Sequence, residues 1–579
     1  MEIKTPQFNE AIGKILADLK PHERVCGQCK ALFQVLAGDI EFYKMFQVPP
    51  PTLCPICRMR RRLAWRMVLI PKFYKRSCNA PGHSEKIISF YSPQNPVQVY
   101  DDKYYVSDQW DPLELGSELD ISKSFFEQFG SLAARVPHQT LQRDLNSTNC
   151  DYTVSGKNSK NCYWVAVPWS AEYVYYSYLA FDTKFSIDNT ESDHCEQCYG
   201  CVYILRCYNC MFCVEAVDCI DSWFLFDCKN CSNCFGSTSL RNRQYVFFNE
   251  QLTKDQYQAK MKELMLGKRS VLREYRVKFE ELMRTAIHRA TTNVNTVNAI
   301  GDMLENCRNC YWAFRSTSGT SENVRYIWSF NDAKDVMDLY GTSQSSRVYG
   351  STAIVDAQDI KFSVMIRTGR EVEYSVECRN CEQCFGCIGL RDKKYCIFNQ
   401  QYEPEEYWKR VDQIKTAMLA RGEYGEFFAE AMSPHPYADS SAGTIWPLSK
   451  DEVISRKWHW EDEEKRDSDL SQLNVLREDQ IPNDISEVQD DILQKALICS
   501  RTGKPFRLTQ FELDFYRKHN LPLPDLHPTE RFKDRLRYRH PFQLLNSACS
   551  QCGNAIQTIH DPAQELAVYC ESCYQAAVL

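Results

Sequence analysis

The chain has 579 residues, 44% apolar and 25% charged, with a net charge of −7. That composition excludes a disordered chain and a uniformly basic nucleic-acid coat, and at roughly 150 residues per domain it leaves room for about four domains. No apolar stretch reaches the ~18 residues of a membrane helix and the charged N-terminus lacks a signal-peptide core, so a soluble, reducing, cytoplasmic setting with no membrane partner is expected.

In that setting 29 cysteines argue for metal sites before disulfides. Residues 1–75 read as a treble-clef zinc finger with a basic helix. Cys26-x2-Cys29 and Cys54-x2-Cys57 are two thiolate knuckles, and four thiolates satisfy one tetrahedral Zn²⁺. The spacer between them has room for a hairpin and for a short helix that begins near Cys54. Eight basic residues then follow without an acid: Arg58, Arg60, Arg61, Arg62, Arg66, Lys72, Lys75 and Arg76, with Trp65, Phe73 and Tyr74 interleaved. Such a segment can read phosphates and stack on unpaired bases. The plainer reading is a solvated face, or one paired to acids such as Glu461, Asp462, Glu463 and Glu464. Residues 76–140 hold a degenerate ribbon-like module and connector: Cys78 remains, Pro81, Asp101 and Tyr104 take the other aligned ligand places, His83 is nearby, and the module reads as metal-free.

The middle of the chain is periodic. At a spacing of 150, FDCKNCSNCFGSTSLRNRQYVFFNEQ (226–251) lies over VECRNCEQCFGCIGLRDKKYCIFNQQ (376–401). Within each copy a period of 12 appears. One column is Cys150, Cys162, Val174, Ser186, Cys198, Cys210, Ser222, Cys234 and Val246, then Val324, Val336, Val348, Ile360, Val372, Cys384 and Cys396. Parallel columns run through Thr153 and Ile327, and through Ser159 and Ala333, the latter including Ser345 and Ala357. The former includes Ser351. Every third position is compact, which fits two narrow Cys-rich β-solenoids with 12-residue coils, 141–252 and 293–402. The pattern resembles the coils of insect antifreeze solenoids, without their Thr ladder; a 24-residue coil is the alternative. The expected class is therefore mainly β with α. Runs such as Cys195-x2-Cys198-x2-Cys201 and Cys378-x2-Cys381-x2-Cys384-x2-Cys387 read as packing thiols, because Ser, Val, Ala and Thr share their places. Metal ligation or internal disulfides are the alternatives.

Helical caps are expected at 253–292 and 403–432. Thr253 with Gln256 is a capping box, Gly267 breaks the first cap in two, and Pro404 opens the second. Residues 433–495 read as an acidic connector in which Ser449–Glu452 caps a short helix.

The two ends repeat each other at a spacing of 473. CGQCKALFQVLAGDIEFYKMFQVPPPTLCPICRMRRRLAWR (26–66) lies over CSRTGKPFRLTQFELDFYRKHNLPLPDLHPTERFKDRLRYR (499–539). Residues 496–545 are thus a degenerate treble clef that keeps Cys499 and His527 but has Thr502 and Glu530 at the other ligand places. Its basic residues recur as Arg531, Lys533, Arg535, Arg537 and Arg539. Residues 546–579 form a zinc ribbon through Cys549, Cys552, Cys570 and Cys573, and resemble 76–105. Two Zn²⁺ per chain are expected.

No P-loop, GxGxxG, HExxH or GxSxG is present, and no small-molecule substrate suggests itself. The leading expectation is a non-catalytic, zinc-dependent nucleic-acid or ribonucleoprotein-binding scaffold. The second is a protein–protein scaffold using the aromatic solenoid faces, and the third an enzyme with a Cys-ligated metal cluster. The segments PPPTLCPICRMRRRLAWR, IISFYSPQNPVQVY, SDQWDPLELG, FFEQF, KNCYW, CFGCIGLRDKKYCIFNQQYEPEEY and TGKPFRLTQFELDFYRKHNLPLPDLHP together resemble the large Cys-rich zinc-ribbon and treble-clef proteins of candidate-phyla-radiation bacteria. The resemblance implies cytoplasmic, zinc-bearing proteins. It implies no activity, substrate or partner.

Overall fold

The structure is a computed structural model describing residues 4–578 apart from 317–318, 331, 344–348, 351, 359 and 463–473. Val348, Ser345 and Ser351 of the periodic columns, and Glu463 and Glu464 of the acidic run, lie outside the described residues, as does the side chain of Ala357. The fold is mixed α/β, with 27% helix and 31% strand. The chain forms two compact units, each drawn from two stretches of sequence: Met1–Leu141 with Thr291–Glu461, and Gln142–Ala290 with Asp462–Leu579.

Each unit contains one parallel ladder. In the Gln142–Ala290 ladder the pairings Tyr178↔Thr190, Thr190↔Val202, Val202↔Val214 and Val214↔Phe226 all advance by the same period that the compact residues show in sequence. In the Thr291–Glu461 ladder Val324↔Val336, Arg367↔Arg379 and Cys384↔Cys396 do the same. Its first rungs depart from this register: Val297 meets Arg308 and Arg308 meets Glu322.

The backbone reason for the spacing is a corner at every third residue. From Asn158 to Gln197 each third residue has φ near +50°, including Trp164, Tyr173, Tyr176 and Phe185. This left-handed conformation is strained for residues other than Gly, Asn and Asp. Rung-to-rung stacking offsets the strain. Phe212 lies 5.1 Å from Phe224, and Phe362 lies 4.8 Å from Tyr374, each pair stacked and one period apart. At Gly200 the corner has no room for a side chain, since a Cβ would sit 2.8 Å from the Phe212 ring.

The residue after each corner points inward. Cys198, Cys210, Cys234 and Cys384 are completely buried, as are Ser186, Ser222, Val174 and Val372. Small size is only half of the reason. The Ser186 hydroxyl donates to the Lys184 carbonyl and accepts the N–H of Cys198 on the next rung. The Cys201 thiol donates to the Tyr199 carbonyl and its sulfur accepts the N–H of Cys213. Inward hydroxyls and thiols thus satisfy buried backbone groups as well as fill space.

The last rung of each ladder is paired on its outer side by a two-residue antiparallel strand, Glu250–Gln251 or Gln400–Gln401. Helices follow at Lys254–Glu263, Arg269–Thr285 and Pro404–Ala420, with the Thr253–Gln256 capping box formed. Tyr257 and Tyr407 set their rings against Tyr245 and Tyr395 of the last rungs.

Candidate metal centres and the basic segment

The strands His22–Val25 and Leu32–Val35 form a hairpin that brackets the first knuckle. The expectation placed the whole hairpin in the spacer; only its second strand lies there, followed by the helix Ala37–Phe46. The second knuckle opens the helix Pro55–Leu63, with Cys54 as its N-cap. The chain turns at the first knuckle through Lys30 at φ 65°, and the Cys54 N–H donates to Cys26 Sγ at 3.3 Å. The four sulfurs of Cys26, Cys29, Cys54 and Cys57 lie within 4.8 Å of one another, an arrangement that could hold a metal ion. The bond from Cys57 is the largest influence on Cys54 and helps to draw its thiol down to about 5.

The C-terminal centre repeats this construction. Strands Leu545–Ala548 and Ala555–Thr558 bracket Cys549 and Cys552. Gly553 turns the knuckle at φ 75°, and the Cys570 N–H donates to Cys549 Sγ at 3.3 Å. Cys573 lies in the helix Glu571–Val578. The sulfurs of Cys549, Cys552, Cys570 and Cys573 likewise lie within 4.8 Å of one another. Burial opposes ionisation of Cys549, and the N–H groups of Cys570, Cys552 and Gln551 outweigh it, leaving the thiol at about 6.

The other two end modules keep the knuckle backbone. Gly503 and Gly82 turn at φ 69° and 78°, four residues after Cys499 and Cys78. At the first of these, His527 Nδ1 accepts the Thr529 N–H as a helix cap and Glu530 pairs with Lys533 and Arg501. Cys499 and His527 belong to none of the ligand groups of three or more found among the described residues. At the second, Cys78 and His83 are joined by Glu85 within 4.8 Å. Sequence reasoning missed Glu85, although it stands only two residues past His83. Among the described residues no three ladder cysteines gather in this way.

The basic segment differs most from expectation. Of its eight residues Lys75 alone is exposed; Arg58, Arg62, Arg66 and Arg76 are buried and Arg60, Arg61 and Lys72 are partly so. Arg58 and Arg62 are 8% and 1% exposed and converge on buried Asp338, with Arg58 Nη2–Oδ1 at 3.1 Å and Arg62 Nη1–Oδ2 at 3.6 Å. Arg61 pairs with Glu426 at 3.2 Å and Glu430 at 3.3 Å. Arg66 reaches Met365, Lys72 pairs with Asp439, and Arg60 lies 5.5 Å from the Trp458 ring centre. Arg76 donates to the carbonyls of Ser92 and Val97. The expected outward basic surface is therefore absent; Asp338, Glu426, Glu430 and Asp439 pair with these residues, and Glu461 attracts Lys72 and Arg76. Glu461 accepts from Ser92 and pairs with His459. Burial draws Arg62 down to about 10, whereas at Arg58 burial, the largest single influence, is outweighed by Asp338 together with Tyr43 and Tyr349, which raise it.

No family model matches the chain, and no curated protein matches it in sequence. No helix among the described residues is long and apolar enough to cross a membrane.

Proposed function

We propose that the chain is a non-catalytic protein–protein scaffold, with each ladder closing into a 12-residue β-solenoid and each tetra-cysteine centre holding one structural Zn²⁺. The zinc reading rests on four thiols at tetrahedral-site spacing, the ligand set of structural zinc. The solenoid reading rests on the 12-residue parallel register and the third-residue corners. Together these favour a rigid support over a reaction site.

One observation carries the choice of a protein partner. The Lys184–Glu196–Tyr208–Ile220 line of paired rungs leaves Tyr208 and Ile220 43% and 45% exposed, with Phe185 beside it at 37%. Exposed apolar side chains aligned on consecutive rungs suit a protein surface. The basic segment, internally paired, offers little to a polyanion. The test combines site-specific crosslinking from Tyr208 with filter binding to mixed RNA and DNA over a salt series. The reading expects a discrete protein adduct that Ile220→Lys abolishes, and no nucleic-acid retention. Retention at low salt that Arg60→Ala, Arg61→Ala and Lys75→Ala remove would return the function to nucleic-acid binding.

A further inference from the structure

We propose that Cys78, His83 and Glu85 form a third metal site, which takes a borderline divalent cation such as Zn²⁺ through one thiolate, one imidazole and one carboxylate. The inference concerns residues 76–105 alone and does not depend on the scaffold reading. The three ligand atoms lie within 4.8 Å of one another, close enough for one ion at ordinary zinc–ligand distances.

The backbone beneath them resembles that of the tetra-cysteine centres, with the hairpin closed two residues later. The strands Tyr74–Ser77 and Lys86–Ser89 form the bracketing hairpin, Gly82 supplies the left-handed turn, and the Cys78 N–H closes onto the Glu85 carbonyl at 3.1 Å. Most tellingly, the Asp101 N–H donates to Cys78 Sγ at 3.4 Å. Cys26 and Cys549 receive the same bond from Cys54 and Cys570, the third ligand of each centre. The same N–H therefore meets the first ligand sulfur at all three places.

The aligned places for the second, third and fourth ligands hold Pro81, Asp101 and Tyr104. Pro81 has no donor atom, the Asp101 carboxylate accepts the Lys103 N–H as a helix cap, and the Tyr104 hydroxyl donates to the Gln109 carbonyl. The coordinating role therefore passes to His83 and Glu85. Tyr104 acts as a wall, its ring edge-on to the imidazole at 4.8 Å. His83 Nδ1 and Glu85 Oε1 stand 2.7 Å apart, so the histidine and the acid already face one another. Cys78 is buried, His83 half-buried and Glu85 exposed, so the cation reaches the thiol past the two outer ligands. Three protein ligands leave one tetrahedral position to water. With one thiolate in place of four, the ion exchanges more readily than those of the tetra-cysteine centres.

The test uses the full chain, dialysed against a mild chelator so that only tightly held metal remains, then titrated with Co²⁺. The expected result is one further Co²⁺ per chain with the visible bands of a four-coordinate site and a single thiolate-to-cobalt charge-transfer band. Cys78→Ser should remove that band and weaken binding at least tenfold. His83→Ala, at a half-exposed position, should weaken it similarly while leaving the tightly held metal and the melting temperature unchanged. No further Co²⁺ uptake at millimolar metal, or uptake unaltered in His83→Ala, would overturn the proposal. Loss of the tightly held metal during dialysis would instead count against the two tetra-cysteine centres.

Discussion

In one unit Arg58 and Arg62 converge on Asp338; in the other Arg531 and Arg535 converge on Asp188, with Nη1–Oδ separations of 2.7 and 3.0 Å. The two pairs of arginines stand at the sequence spacing that relates the end modules, and the two aspartates at the spacing that relates the ladders. The correspondence extends outward. Asp39 accepts from Tyr326 at 3.1 Å, and Glu512 accepts from Tyr176 at 3.0 Å. Arg58 lies 5.1 Å from the Tyr326 ring centre, and Arg531 lies 4.9 Å from that of Tyr176. Tyr105 donates to Glu377 and Tyr574 to Asp227. Yet the end module at 26–66 has four clustered thiols and its counterpart at 499–539 has only Cys499. The feature common to these two modules is therefore the arginine clamp on a ladder corner, while the tetra-cysteine group of the first is replaced in the second. In the module without it, Cys499 is buried and His527 caps a helix with its ring edge-on to Phe506 at 6.0 Å.

Removing the metal of the first end module should separate the two modules most strongly. Structural zinc supplies on the order of 10 kcal/mol to small modules. Cys54→Ser should release one ion and raise hydrogen exchange across 22–63, with 499–536 and both ladders unchanged. Parallel loss of protection in 499–536 would mean that the two modules are not independently stable.

The clamps come next. Asp338→Asn and Asp188→Asn each strand a buried pair of arginines and should cost about 3–5 kcal/mol by chemical denaturation, with metal content unchanged. The partners sharpen the comparison. Arg535 also donates to Thr190 at 3.2 Å and to the Tyr176 carbonyl at 2.7 Å, whereas Nε and Nη2 of Arg62 are buried without hydrogen-bond partners among the described residues. The counterpart of Thr190 in the second ladder is Tyr340, which offers no short-chain hydroxyl there. Arg62→Met should accordingly be far better tolerated than Arg535→Met, and equal losses would contradict this reading of the clamp.

Acid should also divide the units. Burial, aided by neighbouring cations, draws His519, His527 and His560 of one unit down to about 4, and His435 of the other to about 3. Their folded values lie below the unfolded 6.5, so the stability they contribute is present above pH 6.5 and is lost as pH falls toward 4. His435 is buried and the other three are half-buried, so each ring is worth roughly 1–3 kcal/mol over that interval after solvent screening. Exchange followed by mass spectrometry should show the unit with three such rings loosening first; simultaneous loosening would remove this distinction.

The smallest effects are at the inward thiols. Cys201→Ser keeps a group that can accept the Cys213 N–H and should cost about 1 kcal/mol, whereas Cys201→Ala leaves that N–H unpaired and should cost about 1–3 kcal/mol. If Ala proves as mild as Ser, the thiols serve only to fill space.

Much of this architecture can be read in sequence because its causes are local. The paired CxxC motifs, the Thr253–Gln256 and Ser449–Glu452 capping boxes and the helix opened by Pro404 all appear where the residues place them. The 12-residue spacing of compact residues corresponds to the 12-residue register of the parallel pairings. What escapes is non-local. Arg58 reads as a surface charge because the acid that buries it, Asp338, is 280 residues away. Chain order places the first end module beside the first ladder, but it shares a compact unit with the second. The left-handed corners at Tyr173, Phe212 and Phe362 run against residue preference and become favourable only when a second ring stacks on the next rung.

The measurement closest to the central claim is a pair of double-mutant cycles in the full chain, Arg58→Ala with Asp338→Ala and Arg531→Ala with Asp188→Ala, read by equilibrium unfolding. Internal clamps should give coupling energies of several kcal/mol in both units, with no nucleic-acid affinity in the parent for any variant to lose. Coupling near zero in either cycle, together with salt-sensitive nucleic-acid binding that Arg58→Ala abolishes, would contradict it.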